Sequence, residues 1–314
     1  MNKIKLSVII PVRNGEEYIS ESIDSLISQT YKGFEIIIIN DGSTDSTLSI
    51  LNSYQLSNLK VFSTSGVGLV QALNLGISKS NGEFIARLDS DDICFPDRFE
   101  KQVLVLENNK KIGAVFTGFE TINETGKILS QVNLVVKKRE DILDSLTFKQ
   151  KFTPLIHPSV MLRKSCLLEL SSYREYTSCE DRDLWIRLIN ISEFHFIKKP
   201  LLKYRVNPMG ISNLNRQQQV FSGIMCVFNF EVKEKFNIDL YLDDKEIFLF
   251  FEKHLVYLFE NKNNILINLI SSFFNDKTAK KFKHIIFYGN SKRRKVINLM
   301  LELFTKIHDK NLIK

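Results

Sequence analysis

The chain has 314 residues, 43 Lys/Arg against 36 Asp/Glu for a net charge of +7, and four scattered cysteines, Cys94, Cys166, Cys179 and Cys226. That length allows one large core with an appendage or two modest domains. With no CxxC pair, the cysteines argue against a zinc site or a disulfide framework and for a reducing compartment. No apolar run approaches the ~20 residues of a membrane span, and the run Leu6 to Pro11 is too short for a signal peptide. These features predict a cytoplasmic protein.

The first half alternates strand and helix signals. The β-branched run Ile4 to Ile10 predicts a strand stopped by Pro11, and residues 16–29 place Ile19, Ile23, Leu26 and Ile27 on one helical face. Phe34 to Ile39 is wholly apolar, as in the centre of a parallel sheet. A helix through Leu48 and Leu51 follows, then a strand from Leu59 to Phe62, a helix over 67–79 and a strand from Glu83 to Leu88. Pro96 opens a helix, where its missing N–H costs nothing, and Ile112 to Thr117 is a strand. This order predicts a doubly wound, mostly parallel α/β sheet with right-handed crossovers. The second half is less regular. Residues 119–135 read as a hairpin turning near Asn123 to Gly126, and His157 to Leu162 as a strand. Asp181 to Asn190 reads as a helix, and Phe194 to Arg205 as two short strands broken at Pro200. From Ser212 onward the pattern is helical and Phe-rich. We place a domain boundary near Gly210, with a catalytic domain over 1–210 and a helical, basic region over 211–314.

In such sheets ligands sit beyond the carboxyl ends of the strands. The first strand is followed by Pro11-Val12-Arg13-Asn14, the second by Asn40-Asp41-Gly42-Ser43-Thr44-Asp45, and the fourth by Asp89-Ser90-Asp91-Asp92. Asp and Ser at strand ends also serve as turn formers and helix caps. Three carboxylates within four residues, however, repel one another unless a cation lies between them, and hard divalent cations take carboxylate oxygens. A metal held by one or two carboxylates keeps positions open for substrate phosphates. A further acid could then serve as general base toward an attacking hydroxyl. Glu180 and Asp181, in Cys179-Glu180-Asp181-Arg182-Asp183-Leu184-Trp185, are candidates; acids in a first helical turn also compensate the helix dipole. Arg87 shares a strand face with Asp89. It reads equally as a support for the acids or diphosphate and as a structural ion pair. Arg98 reads as a structural ion pair, and a lone His157 is a modest signal.

The segments SVIIPVRN, NDGSTDST, GEFIARLDSDDICFPDR and CEDRDLWIRL occur in that order. Together they resemble the family 2 glycosyltransferases, which have the GT-A fold, and the resemblance covers roughly residues 4 to 206. It implies an inverting transfer of a sugar from a nucleotide sugar, in the first place a UDP-sugar, with Mn²⁺ or Mg²⁺ as cofactor. Donor contacts are implied for Pro11, Val12, Asn14, Asp41, Asp89 and Ser90, with Asp41 recognising the base and His157 near the donor sugar. Asp91 is implied as the metal ligand, with Asp92 as a third acid. Asp181 is implied as the catalytic base with Glu180 beside it, and Trp185 as an aromatic of the acceptor side. Asn74 resembles a structural asparagine. Family members often carry a metal-binding histidine soon after Tyr204-Arg205. Here Asn207 is the residue with an oxygen to offer. The QxxRW motif of processive synthases is missing, which predicts addition of one sugar to a saccharide acceptor. A nucleotidyltransferase is the first rival, but no Gly-rich phosphate loop follows the first strand. A nucleotide-binding module without turnover is the second.

The charge is concentrated at the end of the chain. Residues 276–314 hold eleven Lys/Arg against three Asp/Glu, which leaves the rest at −1. Residues 292–310 begin Lys292-Arg293-Arg294-Lys295 and continue with apolar residues at helical spacing. This is an amphipathic helix that either packs on neighbouring helices or attaches to an anionic membrane. Attachment at the inner face of the membrane suits a lipid-linked acceptor. Nucleic acid lacks a supporting motif.

Overall fold

The computed structural model describes residues 4–135, 138–149, 155–176, 178–207, 216–237 and 298. The chain divides into two compact units. The first holds residues 1–139, 154–174 and 187–214; the second holds 140–153, 175–186 and 215–314. The boundary expected near Gly210 falls outside the described residues, as does the basic segment 276–314 apart from Asn298.

Among the described residues nine strands form one sheet in the order β3-β2-β1-β4-β8-β6-β9-β5, with β7 paired to β6. The strands are β1 (Leu6–Val12), β2 (Phe34–Asp41), β3 (Leu59–Thr64), β4 (Phe84–Arg87), β5 (Ile93–Cys94), β6 (Ile112–Ile122), β7 (Ile128–Val132), β8 (Met161–Arg163) and β9 (Glu193–Arg205). Strands β1 to β4 are mutually parallel. β8 runs against both β4 and β6, so β6 and its parallel partner β9 run the same way as β4. Six of the nine strands thus point in one direction, and the fold is the mostly parallel α/β sheet expected.

The helices of the first half are α1 (Ile19–Ile27), α2 (Thr47–Ser53), α3 (Leu69–Lys79) and α4 (Arg98–Asn108). β1 and β2 are buried along their whole length. Alternation sends the isoleucines of β2 to opposite faces. Ile36 and Ile38 join β1 and Ile19, Ile23 and Leu26 of α1, while Ile37 and Ile39 pack with Ala72 of α3. Each such buried isoleucine contributes about 1.5–3 kcal/mol relative to exposure. Pro11 sits inside β1 at no cost. Leu88 donates to Ile9 O, so Pro11, two residues on, also faces β4; but that pairing ends at Ile9 opposite Arg87, and no ladder bond needs the missing N–H.

The hairpin of β6 and β7 turns where expected: Gly126, at φ +81, closes a loop in which Asn123 accepts from both Gly126 N and Lys127 N. Two expectations are corrected. His157–Ser159 is a 3₁₀ turn, because Pro158 fixes φ and lacks a donor; the strand begins only at Met161. The segment 193–205 is one strand, not two. The register passes from Thr117 opposite Ile197 to Gly118 opposite Pro200, so Pro200 is absorbed by a bulge. The remaining helices are α5 (Arg139–Leu146), α6 (Lys164–Glu169), α7 (Glu180–Leu188) and α8 (Arg216–Phe236).

Gly76 of α3 is where that helix lies closest to the sheet. A Cβ there would stand 2.5 Å from Ile9 Cγ2. Gly76→Ala gains up to ~1 kcal/mol in helix propensity but overpacks the core, at about 1–3 kcal/mol. The substitution is expected to lower the urea midpoint; a raised midpoint would mean the close approach carries no strain.

Candidate active site at the strand ends

Val12, Asp41, Thr64 and Arg87 are the last residues of β1, β2, β3 and β4; the registers set Val12 opposite Asn40 and Asp41 opposite Thr64, while Arg87 lies opposite Ile9, three residues short of the end of β1. Asp41 is opposite Thr64 in the β2–β3 ladder. Its Oδ1 accepts from Thr64 Oγ1 at 2.5 Å and Val67 N at 2.7 Å, and its Oδ2 from Gly68 N at 2.9 Å. Burial pushes the Asp41 carboxyl up, but these donors together with the charge of Arg13 hold it below the usual range. The carboxylate thereby shapes the loop 65–68. Gly42, at φ +68, lets that loop close in, since a Cβ would stand 2.8 Å from Gly66 N.

Asn14, at φ +54, is tied to the loop after β2. Its N–H donates to Ser43 Oγ, and its Oδ1 accepts from Thr44 N. Gly15 N and Glu16 N donate to Thr47 and Asp45, and Glu16 accepts from Ser46 N. The NDGSTDST segment thus shapes its own loop and that of β1.

After β4 the chain carries the acids. Arg87, 5% exposed, pairs with Asp89, and its Nε has no hydrogen-bond partner among the described residues. Burial lowers its pKa, yet the Asp89 carboxylate outweighs this and holds the guanidinium more firmly protonated than usual. Asp92 is fully buried and accepts from Arg205 N at 2.8 Å. Burial, with Asp89 and Asp91 nearby, drives its pKa well above the carboxylate range. Asp91 differs. Its carboxylate takes no hydrogen bond from another described residue, and burial, reinforced by the charge of Asp89, pushes its pKa up to about 6. Ser90 O and Asp92 O both accept from Ser22 Oγ of α1.

Arg205, the last residue of β9, locks this loop. Besides its backbone bond to Asp92, its guanidinium donates to Asp91 O at 2.9 Å, Asn123 O at 3.1 Å, Glu124 O at 2.8 Å and Glu21 Oε2 at 2.8 Å. It also lies 4.2 Å from the Tyr18 ring centroid. Asn207, half-buried, follows two residues later. His157 is buried, with Nε2 2.7 Å from Tyr173 Oη. Asn74 clamps the Tyr173 backbone through both its N–H and its carbonyl, which accounts for a structural asparagine at that place. Arg98 is fully buried and structural, as expected, but makes no ion pair among the described residues. It donates to Gln102, Cys94 Sγ, Arg87 O and Val160 O.

Glu180, Asp181 and Trp185 belong to the second unit, in α7. Asp181 accepts from Arg182 N through Oδ1. Glu180 is buried. Trp185 is buried, at 1% exposure. Four residues escaped the sequence reading: Arg13, Thr64, Tyr173 and Arg205 as a lock. Thr64 could have been found, because it ends the third strand as the other site residues end theirs. Tyr173 follows a segment with no periodicity and gave no signal.

Among the described residues no cluster of three or more His, Cys, Asp or Glu side chains is placed to hold a metal ion. The arrangement suits an open site instead. Asp91 and Asp89 supply hard oxygens whose mutual repulsion a divalent cation would relieve, leaving positions for substrate phosphates.

A mostly parallel sheet with acids gathered at its carboxyl edge fits the GT-A class of fold. The chain belongs to glycosyl transferase family 2, whose profile matches residues 7–170. An uncharacterized glycosyltransferase of Rickettsia prowazekii is 32% identical, over 78% of this chain and 79% of its own. Among solved structures, Staphylococcus aureus TarS in complex with UDP-GlcNAc superposes with a TM-score of 0.62 at 18% identity, over 96% of this chain and 92% of its own. A Pyrobaculum calidifontis mannosyltransferase in complex with GDP-Man and Mn²⁺ superposes at 0.53 with 20% identity, over 73% and 64%.

The raised Asp91 pKa has a pH consequence. A group whose folded pKa is raised stabilises the metal-free protein fully below its unfolded value, and that contribution is lost as pH rises through about 6. A cation must displace the same proton. The rise in Tm produced by Mn²⁺ should therefore be present at pH 7.5 and shrink toward nothing near pH 5. A pH-independent rise in thermal melts would place the cation elsewhere.

Proposed function

We propose that the protein is an inverting, metal-dependent glycosyltransferase that adds one sugar from a nucleotide sugar, in the first place a UDP-sugar, to a saccharide acceptor. The observation that carries this reading is the Asp91 carboxylate, raised in pKa and without a donor from any other described residue, at the end of β4 beside the Asp89–Arg87 pair. Relatives in fold crystallised with UDP-GlcNAc or with GDP-Man and Mn²⁺ support a nucleotide-sugar donor and a divalent cation.

Asp91 and Asp89 would hold Mn²⁺ or Mg²⁺, and the cation, when bound, would neutralise charge on the departing diphosphate. Arg87 steadies the Asp89 carboxylate. Asp41, with Pro11 and Val12 beside it, forms the base end of the donor site, and Arg13 stands exposed next to Gly66 of the same loop. Asn14 and Ser90 act through their loops, and His157 through Tyr173. Asn207 offers a further oxygen at the cation end. Asp181, with Glu180 adjacent, takes the proton of the acceptor hydroxyl. The acceptor oxygen bonds to the anomeric carbon as the bond to the diphosphate breaks, and the nucleoside diphosphate leaves. One base and one in-line displacement invert the anomeric centre, so an α-linked donor yields a β-linkage. These donor-binding and catalytic residues lie within residues 1–210, and the basic segment 292–310 is assigned to attachment at the inner face of the membrane, where a lipid-linked acceptor in surface polysaccharide synthesis would be met. No helix among the described residues is long and apolar enough to cross a membrane.

The test is turnover of a panel of UDP-, GDP- and dTDP-sugars with Mn²⁺ or Mg²⁺ and a membrane extract as acceptor. Wild type should release nucleoside diphosphate from one donor. Asp91→Ala and Asp181→Asn should each lower kcat by at least a hundredfold, within the range of a lost general base or charge stabiliser. Pyrophosphate as product would make the protein a nucleotidyltransferase. No turnover in wild type would leave a nucleotide-binding module.

A further inference from the structure

A glycine in the interior of a long helix needs a reason, because glycine is the poorest helix former after proline. Gly223 stands eight residues into the 21-residue helix α8. The second unit supplies the reason. A Cβ on Gly223 would lie 3.4 Å from Phe148 Cζ, 3.5 Å from Cys179 Sγ and 3.7 Å from Arg182 Nε. These are ordinary van der Waals separations, so one methyl group fits, and a longer side chain is expected to press on those three neighbours.

The contacts belong to one seat. Gln219, Gly223 and Cys226 follow at i, i+4 and i+7 on α8 and share a face. Cys179 Sγ donates to Gln219 O at 3.0 Å. Cys179 is held at φ +68, a conformation a non-glycine residue adopts only when its surroundings impose it. Three residues before it, Tyr176 Oη accepts from Asn229 Nδ2 at 3.0 Å, one turn further along α8. Arg182 stacks on the Phe148 ring, 4.4 Å from its centroid, and donates to Leu146 O. The buried Cys226 thiol is driven well above its ordinary pKa by burial first and then by Asp183, with Arg182 opposing the shift.

We propose that α8 is part of the catalytic apparatus rather than an appendage: its Gly223 surface seats the first turn of α7 and so fixes where the Asp181 carboxylate stands. Gly223 and Cys179 are positioning residues for the base. The inference rests on the reading of Asp181 as general base.

The experiment compares wild type, Gly223→Ala, Gly223→Leu, Cys179→Ala and Asp181→Asn in the full chain. It measures kcat for nucleoside diphosphate release from the donor found in the panel, the Kd of UDP with Mn²⁺ by calorimetry, and Tm. Gly223→Ala controls for the loss of glycine itself and should leave Tm equal or higher, because its Cβ meets the neighbouring side chains only at ordinary van der Waals distance. Gly223→Leu should lose at least tenfold in kcat while the UDP Kd stays within twofold. Cys179→Ala, which empties the seat without adding bulk, should lose about threefold in kcat, again at unchanged Kd. Full kcat in both Gly223→Leu and Cys179→Ala, or parallel loss of kcat and UDP binding in both, overturns the inference. Full kcat in Asp181→Asn instead overturns the assignment of the base on which it rests.

Discussion

The acidic loop after β4 exists in its shape because Arg205 holds it. Three carboxylates in four residues would splay apart in water. Here the backbone of Asp92 is tied to Ser22, its carboxylate to the Arg205 N–H, and the carbonyl of Asp91 to the Arg205 guanidinium. The same guanidinium reaches the β6–β7 turn through two carbonyls and α1 through Glu21. An arginine with a planar fork of donors can serve four acceptors at once, and a lysine cannot. Because Arg205 is buried while Glu21 is half exposed, removing the arginine leaves chiefly the Asp91 carbonyl without its donor, at a cost of about 1–3 kcal/mol. The lock sorts the acids as well. Asp92 gives one carboxylate oxygen to the Arg205 N–H, Asp89 is paired with Arg87, and the Asp91 carboxylate takes no donor from another described residue.

The neighbouring loops follow the same division of labour. Asp41 is a strand-end acid whose oxygens are already engaged by Thr64 and by the N–H groups of Val67 and Gly68, so it shapes the loop whose edge it forms. Asn14 and the Ser43–Thr47 segment lace the first two loops together. Much of what reads as a binding motif is the scaffold that keeps backbone atoms at the carboxyl edge in place, as site preorganisation requires. The exposed cation at that edge, Arg13, lies in the middle of the first motif.

The strand-helix alternation of the first half was legible because it is written in periodicity. β2 is an unbroken apolar run, and α1 repeats isoleucine and leucine on one face. The strand-end acids were legible because parallel sheets place function there. The second half was less so. Pro200 reads as a strand break, but a bulge against Gly118 absorbs it, and only the partner strand reveals that. Pro158 turns the chain before β8. Arg98 reads as half of an ion pair; the carbonyls and the thiol it bonds instead come from four separate places in the sequence. Arg205 is one basic residue in a YR dipeptide, and its reach to Glu21, Asp91 and Asn123 depends on folding that spans 184 positions between Glu21 and itself. Such long-range polar locks carry no local signal.

The most direct test of this account is the Mn²⁺-dependent affinity for UDP, measured by calorimetry, in wild type and Arg205→Lys. Lysine keeps the charge and much of the stem but cannot bond Asp91 O, both turn carbonyls and Glu21 together. The account predicts a folded variant, judged by circular dichroism, whose UDP affinity in Mn²⁺ falls at least tenfold. An unchanged affinity would contradict it, because the acidic loop would then hold its shape without the arginine.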